Sequence, residues 1–117
     1  MPVIISGTVV ADPQGNKYST IPVGAPVKIT SEVRYLANQP NQAYVYYVQV
    51  KNFAGQVEFI ESYKGIFLGE SDNASVTWNP TIDGPYFIET YVWDSDNIPL
   101  ASPGNIINVV LVKSQHS

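Results

Sequence analysis

Residues 27–35 read VKITSEVRY, an alternation that puts Val27, Ile29, Val33 and Tyr35 on one side of an extended chain. Lys28, Thr30, Glu32 and Arg34 fall on the other side. Successive side chains of a strand point to opposite faces, so this period of two predicts a strand with one buried and one wet face. The same pattern predicts a strand over 74–79, with Ala74, Val76 and Trp78 inward and Ser75, Thr77 and Asn79 outward. Turn-forming clusters break the chain at DPQGN (12–16), PVGAP (22–26), NQPNQ (38–42), NFAG (52–55), GESDN (69–73), NPTIDGP (79–85) and DNIPLASPGN (96–105). The segments between them are short and β-prone, and none carries a helical 3.6-residue period. Seven strands are therefore expected: A (4–11), B (27–36), C (44–52), C′ (57–64), E (74–79), F (86–94) and G (106–113). Short strands at this spacing read as an all-β sandwich. Sheet A-B-E has a wet outer face.

Strands C, F and G differ. In YVYYVQVKN (44–52), Tyr46, Val48 and Val50 form the core set, leaving Val45, Tyr47, Gln49 and Lys51 outside. In YFIETYVWD (86–94), Tyr86, Ile88 and Val92 point inward and Phe87, Glu89, Tyr91 and Trp93 outward. For strand G the expected inward set is Ile107, Val109 and Leu111, with Ile106, Asn108, Val110 and Val112 outside. A carboxylate is costly to bury unpaired, so a face with Glu89 at its centre is not ordinary core. Lys51 is its expected cross-strand companion. Two readings of the aromatic face Tyr47, Phe87, Tyr91 and Trp93 stand side by side. It is covered within the chain, by strand C′ or by NIPLASPG folding back through Ile98 and Leu100, or it meets something else. Monomers rarely expose apolar patches beyond a few hundred Å², and Tyr and Trp dominate interface hot spots.

Composition narrows the class. The 117 residues form one domain (1–117), with an ordered core over 4–113 and a tail over 114–117, large enough to bury a core without staples. Charged residues make up 14 %, against about 25 % in typical soluble proteins, and eight tyrosines take part of their place. The net charge of −4, with six basic residues and no two adjacent, argues against nucleic acid. No apolar run reaches the roughly 18 residues of a membrane-spanning helix. With no cysteine, disulfides and thiolate chemistry are excluded. Low charge with much Thr, Ser, Asn and Tyr leans toward an exported or cell-surface protein, of which this chain is expected to be one domain.

The segment VTWNPTIDGPYFIETYVWD (76–94) has the form W-x-P, then Gly-x-Tyr, then alternating β-branched residues. It resembles the E-to-F passage of immunoglobulin-like and fibronectin III-like sandwiches of prokaryotic surface proteins. It is similar to the adhesion-type domains known as CARDB, and to Ig-like modules in exported proteins of ammonia-oxidising archaea. VGAPVKITSEVRYLANQPNQAYVYYVQVKNFAGQV (23–57) fits the same pattern, so the likeness spans roughly residues 22–113. The resemblance implies sheets A-B-E and C′-C-F-G, with Trp78 plugging the core at the end of strand E. It also implies a tyrosine corner at Tyr86, its hydroxyl tied back to the preceding loop. The long F–G connection and the aromatic outer face depart from such modules.

Candidate chemistry is thin. His116, the single histidine, sits in the tail, so a Ser-His-Asp arrangement is not available. A cupredoxin-type copper site needs Cys and two His. Glu89 with Glu58 or Glu61 could pair as glycosidase carboxylates, but outward carboxylates on strands are usually solvating. DSDN (94–97) and ESDN (70–73) resemble fragments of calcium loops, with Asp94 and Asp96 the better pair; Asp, Ser and Asn also cap turns by themselves. NAS (73–75) is a glycosylation sequon and predicts an exposed loop at Asn73. The expected function is a non-enzymatic, cofactor-free module for adhesion, spacing or self-assembly, meeting a protein partner or another copy through Tyr47, Phe87, Glu89, Tyr91 and Trp93. The alternatives are a carbohydrate-binding module using that face and a calcium-stiffened spacer.

Overall fold

The computed structural model describes residues 1–102 and 108–115. Eight strands follow in order: β1 (Val3–Ala11), β2 (Ile21–Pro22), β3 (Val27–Tyr35), β4 (Gln42–Asn52), β5 (Val57–Phe67), β6 (Ser71–Trp78), β7 (Gly84–Trp93) and β8 (Asn108–Lys113). They form two sheets, β1-β3-β6 and β2-β8-β7-β4-β5. Strands A-B-E and C′-C-F-G of the sequence reading correspond to these, with β2 as an addition. β2 runs parallel to β8 at the start of the stretch read as a break, where Ile21 is 1 % exposed and joins the core.

The alternation in β3 is realised. Val27, Ile29, Val33 and Tyr35 are buried, and Ser31 between them is buried too. Ser31 is not in the expected inward set, because a serine among valines carries no hydrophobic signal. Its hydroxyl sits in a chain with the Thr8 and Tyr46 hydroxyls, each 2.7 Å away, which satisfies all three. Burial pushes the Tyr46 phenol up to about 12 against the opposing effect of the Ser31 bond. Trp78 closes the core at the end of β6, 4 % exposed and edge-on to Tyr86 at 5.2 Å between centroids. The Tyr86 hydroxyl donates to the Ile82 carbonyl at 2.7 Å. This bond ties the start of β7 to its entry loop and fixes the parity of the whole strand.

Strand β8 corrects the sequence reading. Its pairing sets Tyr86 opposite Val110 and Gly84 opposite Val112. Directly opposed residues share a face, so Val110 and Val112 turn inward with Tyr86. Val112 is fully buried, whereas Val109 is 53 % and Leu111 39 % exposed on the outer face. Both parities of NIINVVLVK are apolar, so alternation cannot choose between them; the β7 register does. Ile106 and Ile107 lie outside the described residues. The chain ends of the core also shift. Val3 is buried in β1, and Ser114 is held by Asp83, its N–H at 2.7 Å and its hydroxyl on the same carboxylate.

One core position is unsatisfied. Thr90 is 1 % exposed and its hydroxyl has no hydrogen-bond partner among the described residues. An unsatisfied buried polar group is destabilising by about 1–3 kcal/mol. Thr90→Val keeps the shape and removes that group, so it is expected to raise unfolding stability by about 1 kcal/mol. Urea titration should show a higher midpoint at unchanged slope; a lower midpoint would mean the hydroxyl is bonded.

Candidate functional site

The outer face of the five-stranded sheet is built from registered rows. Pairing of β5, β4 and β7 lines up Lys64, Val45 and Trp93, then Ser62, Tyr47 and Tyr91, then Ile60, Gln49 and Glu89. Beyond them Lys51, Phe87 and Val109 form a row, and Pro85 and Leu111 close the surface. Alternation along β4 and β7 therefore places Tyr47, Phe87, Glu89, Tyr91 and Trp93 together, as the sequence reading had them. Tyr47 and Trp93 pack at 4.8 Å between centroids with planes 53° apart, and Tyr91 meets Trp93 at 6.2 Å and 58°. The cluster is half-buried by its own contacts.

Glu89 sits at the centre, 8 % exposed. Its Oε1 accepts from Gln49 Nε2 at 2.8 Å and faces Lys51 Nζ at 3.0 Å. Burial raises its pKa, but the Gln49 bond, Lys51 and Tyr91 together outweigh it and hold the carboxyl below its ordinary value. The Tyr91 phenol moves the other way, through burial first and then the Glu89 charge. The carboxylate is thus an anchored, ionised group inside an aromatic frame. Glu61 lies opposite Val48, on the other side of the sheet, and so cannot share a substrate with Glu89. Glu58 is occupied by Asn52, which donates to it at 2.7 Å.

The flanks of the face are apolar and open. Ile60 is 60 % and Ile66 52 % exposed on β5, matching Val109 and Leu111 on β8. The covering expected from Ile98 and Leu100 does not form through these residues. Leu100 donates its N–H to the Val92 carbonyl and turns into the core, while Ile98 is 58 % exposed. Strand β5 does not pack over the sheet but extends it in its own plane.

The acidic loop at 94–97 follows a repeated local design. Asp94 Oδ1 accepts from the Asp96 and Ile98 N–H groups at 2.8 and 2.9 Å, and Asn97 takes a φ of 62°. Asp12 does the same for Gln14 and Asn16, with Gly15 at a φ of 91°. Asn52 does it for Ala54 and Gln56, with Gly55 at 82°. A neutral amide fills the role in one of the three loops, so turn closure accounts for the side chain without any charge. No group of three or more His, Cys, Asp or Glu able to hold a metal occurs among the described residues. Asn73 is exposed, but it lies within β6 opposite Glu32 rather than in a loop. His116 lies outside the described residues.

No protein-family model matches the chain, and no curated protein does. Solved structures do. The CARDB domain of a Pyrococcus furiosus protein, determined in complex with di-metal ions, aligns with a TM-score of 0.54 at 19 % identity. The alignment covers 95 % of this chain and 85 % of that one. A Bordetella pertussis protein described as ApaA aligns over 98 % of this chain and 95 % of its own, with a TM-score of 0.43 and 13 % identity. The first likeness shows the fold: this chain is an all-β, immunoglobulin-like β-sandwich module of the shape a CARDB domain has.

Proposed function

We propose that this chain is a non-catalytic contact module, carried outside the cell by a longer prokaryotic protein, that meets a protein surface through the outer face of its five-stranded sheet. One observation carries this reading. Tyr47, Tyr91 and Trp93 pack as one aromatic cluster, with Phe87 on the far side of Glu89 and Ile60, Ile66, Val109 and Leu111, each at least 39 % exposed, on the flanks. Monomers rarely leave so much apolar surface in one place, and a few aromatic anchors carry most of the binding energy of interfaces. Glu89, held ionised by Lys51 and Gln49, gives the surface a fixed charge that could select among partners. The rings lean at 53° and 58° instead of sharing a plane, which favours a protein surface over a stacked sugar. The carbohydrate reading therefore stands second. The calcium-stiffened spacer stands third, since turn closure accounts for Asp94.

Trp93→Glu tests the contact role. Trp93 is half-buried and its ring contacts, Tyr47 and Tyr91, lie on the outer face, so its loss should leave the core intact. Folding is expected to change by less than about 1 kcal/mol, as for substitutions away from core features. Pull-down of the parent protein's own extracellular partners should fall at least about tenfold, the range of a hot-spot loss. An unfolded variant would mean Trp93 belongs to the core, and unchanged association would mean the face is not the contact surface.

A further inference from the structure

We propose that a second copy of this chain docks on the open edge of β5, antiparallel, about a two-fold axis through Tyr63, merging the two five-stranded sheets into one. This goes beyond the role of the aromatic face and concerns the adjoining sheet edge, which shares only the flanking Ile60 and Ile66 with it. β5 is 11 residues long and pairs only with β4 among the described residues. Its register with β4 runs unbroken from Phe59 to Phe67. Long, regular, unprotected edges are templates for pairing, and proteins usually shorten or bulge them. Two of the other edges among the described residues show such protection: β2 has two residues and β1 carries a register shift between Ser6 and Val9. β6 pairs with β3 without a shift but is shorter, at eight residues.

The backbone of β5 shows which groups are free. The Ser62 N–H donates to the Glu61 carboxylate at 3.0 Å, not to β4. Ser62 therefore points its N–H and C=O to the open side, and alternation sends those of Ile60, Lys64 and Ile66 the same way. Glu61 covers one edge donor in the lone copy and would give way to a strand carbonyl on pairing.

Side chains choose the register. The axis of an antiparallel pair runs perpendicular to the sheet, so outer residues meet outer residues, and the axis must pass through a residue position. Centred on Glu61 it opposes two carboxylates, and centred on Lys64 two ammonium groups. Centred on Ser62 it sets Ile60 against Lys64 and Ile66 against Glu58. Centred on Tyr63 it sets Ile60 against Ile66 on both sides of the axis, Ser62 against Lys64, and Glu61 against Gly65. Of these four central registers, only the last matches apolar with apolar and opposes no like charges. It covers Ile60 and Ile66, 60 % and 52 % exposed in the single copy, and uses up the edge on both copies, which closes the assembly as a dimer.

Sedimentation velocity on the full chain, from micromolar to millimolar concentration, is expected to show a reversible shift toward twice the 12.9 kDa monomer mass. The chain has no cysteine, so single-cysteine variants report the register. Tyr63→Cys puts two thiols across the axis in a non-hydrogen-bonded pair, within disulfide reach. Glu61→Cys faces Gly65 of the second copy, and its two thiols stay apart. Oxidation should convert the first to a covalent dimer and leave the second monomeric. Ile60→Glu should abolish the shift, and Ile66→Lys added to it should restore the dimer. Trp93→Glu should leave the Tyr63→Cys crosslink in place, which separates this edge from the aromatic face. A wild-type chain that stays monomeric throughout, equal crosslinking of the two cysteine variants, or no rescue by the charge pair would each overturn the proposal.

Discussion

Trp78→Ala is expected to lower unfolding stability by about 3–5 kcal/mol, the range for emptying a large buried aromatic site. The indole is 4 % exposed, opposite Val27 in the sheet pairing, edge-on to Tyr86 and tilted against Phe59 at 6.3 Å. It therefore supports both sheets at the end where β7 enters. Its removal leaves a cavity beside the Tyr86 ring, whose hydroxyl bond to Ile82 sets the parity of β7. The consequence reaches function through geometry: Tyr86 inward is what sends Phe87, Glu89, Tyr91 and Trp93 outward. Denaturant titration should show the midpoint falling by a large fraction of the total stability, given that domains are stable by only about 5–15 kcal/mol. A folded variant with a nearly unchanged midpoint would mean the core does not depend on this site.

Gly65→Ala should also destabilise, by about 1–3 kcal/mol, as overpacking does. In an open edge strand the opposite is normal, because replacing Gly relieves an entropic penalty of roughly 0.5–1 kcal/mol. Here a Cβ on residue 65 would lie 2.5 Å from Cζ and the hydroxyl oxygen of Tyr44 and 2.7 Å from its Cε1. The ring has little freedom to yield. Its hydroxyl donates to Asp72 at 2.5 Å and its face stacks on Phe67 at 4.4 Å. Burial first, and then Asp72, raise the phenol far above its ordinary pKa, so it remains a donor across the physiological range. The two substitutions Gly65→Ala and Tyr44→Ala should therefore be strongly non-additive in a double-mutant cycle. Additive values, or a more stable Gly65→Ala variant, would show that the ring moves aside freely.

Legibility followed the hydrophobic contrast along each strand. β3 and β6 alternate sharply, and their inward residues were readable at once. Glu89 was informative for the same reason. One carboxylate among rings marked the outer side of β7, and Lys51 opposite Phe87 was close enough in register to reach it. β8 had no such marker, and its faces were assigned in reverse. Gly65 and Ser31 gave no sign of their roles, because each depends on a residue distant in the chain: the Tyr44 ring for one, the Thr8 and Tyr46 hydroxyls for the other. The same holds for β2, whose two residues are a strand only because β8 lies beside them.

What the chain determined alone is local: which segments extend, where Asx residues close turns, and which side of a strand is greasier. Periodicity and turn chemistry act over a few residues, so a single sequence carries them openly. The tertiary structure decided everything that needs two segments to be compared. It chose the face of β8 through the β7 register. It turned Leu100 inward and left Ile98 out, so that those two residues do not cover the aromatic surface. Among the described residues it left β5 as a long edge, paired with β4 on one side only. Pairing partners and coverage are set by long-range packing, where many apolar residues compete for one core and alternation no longer distinguishes them.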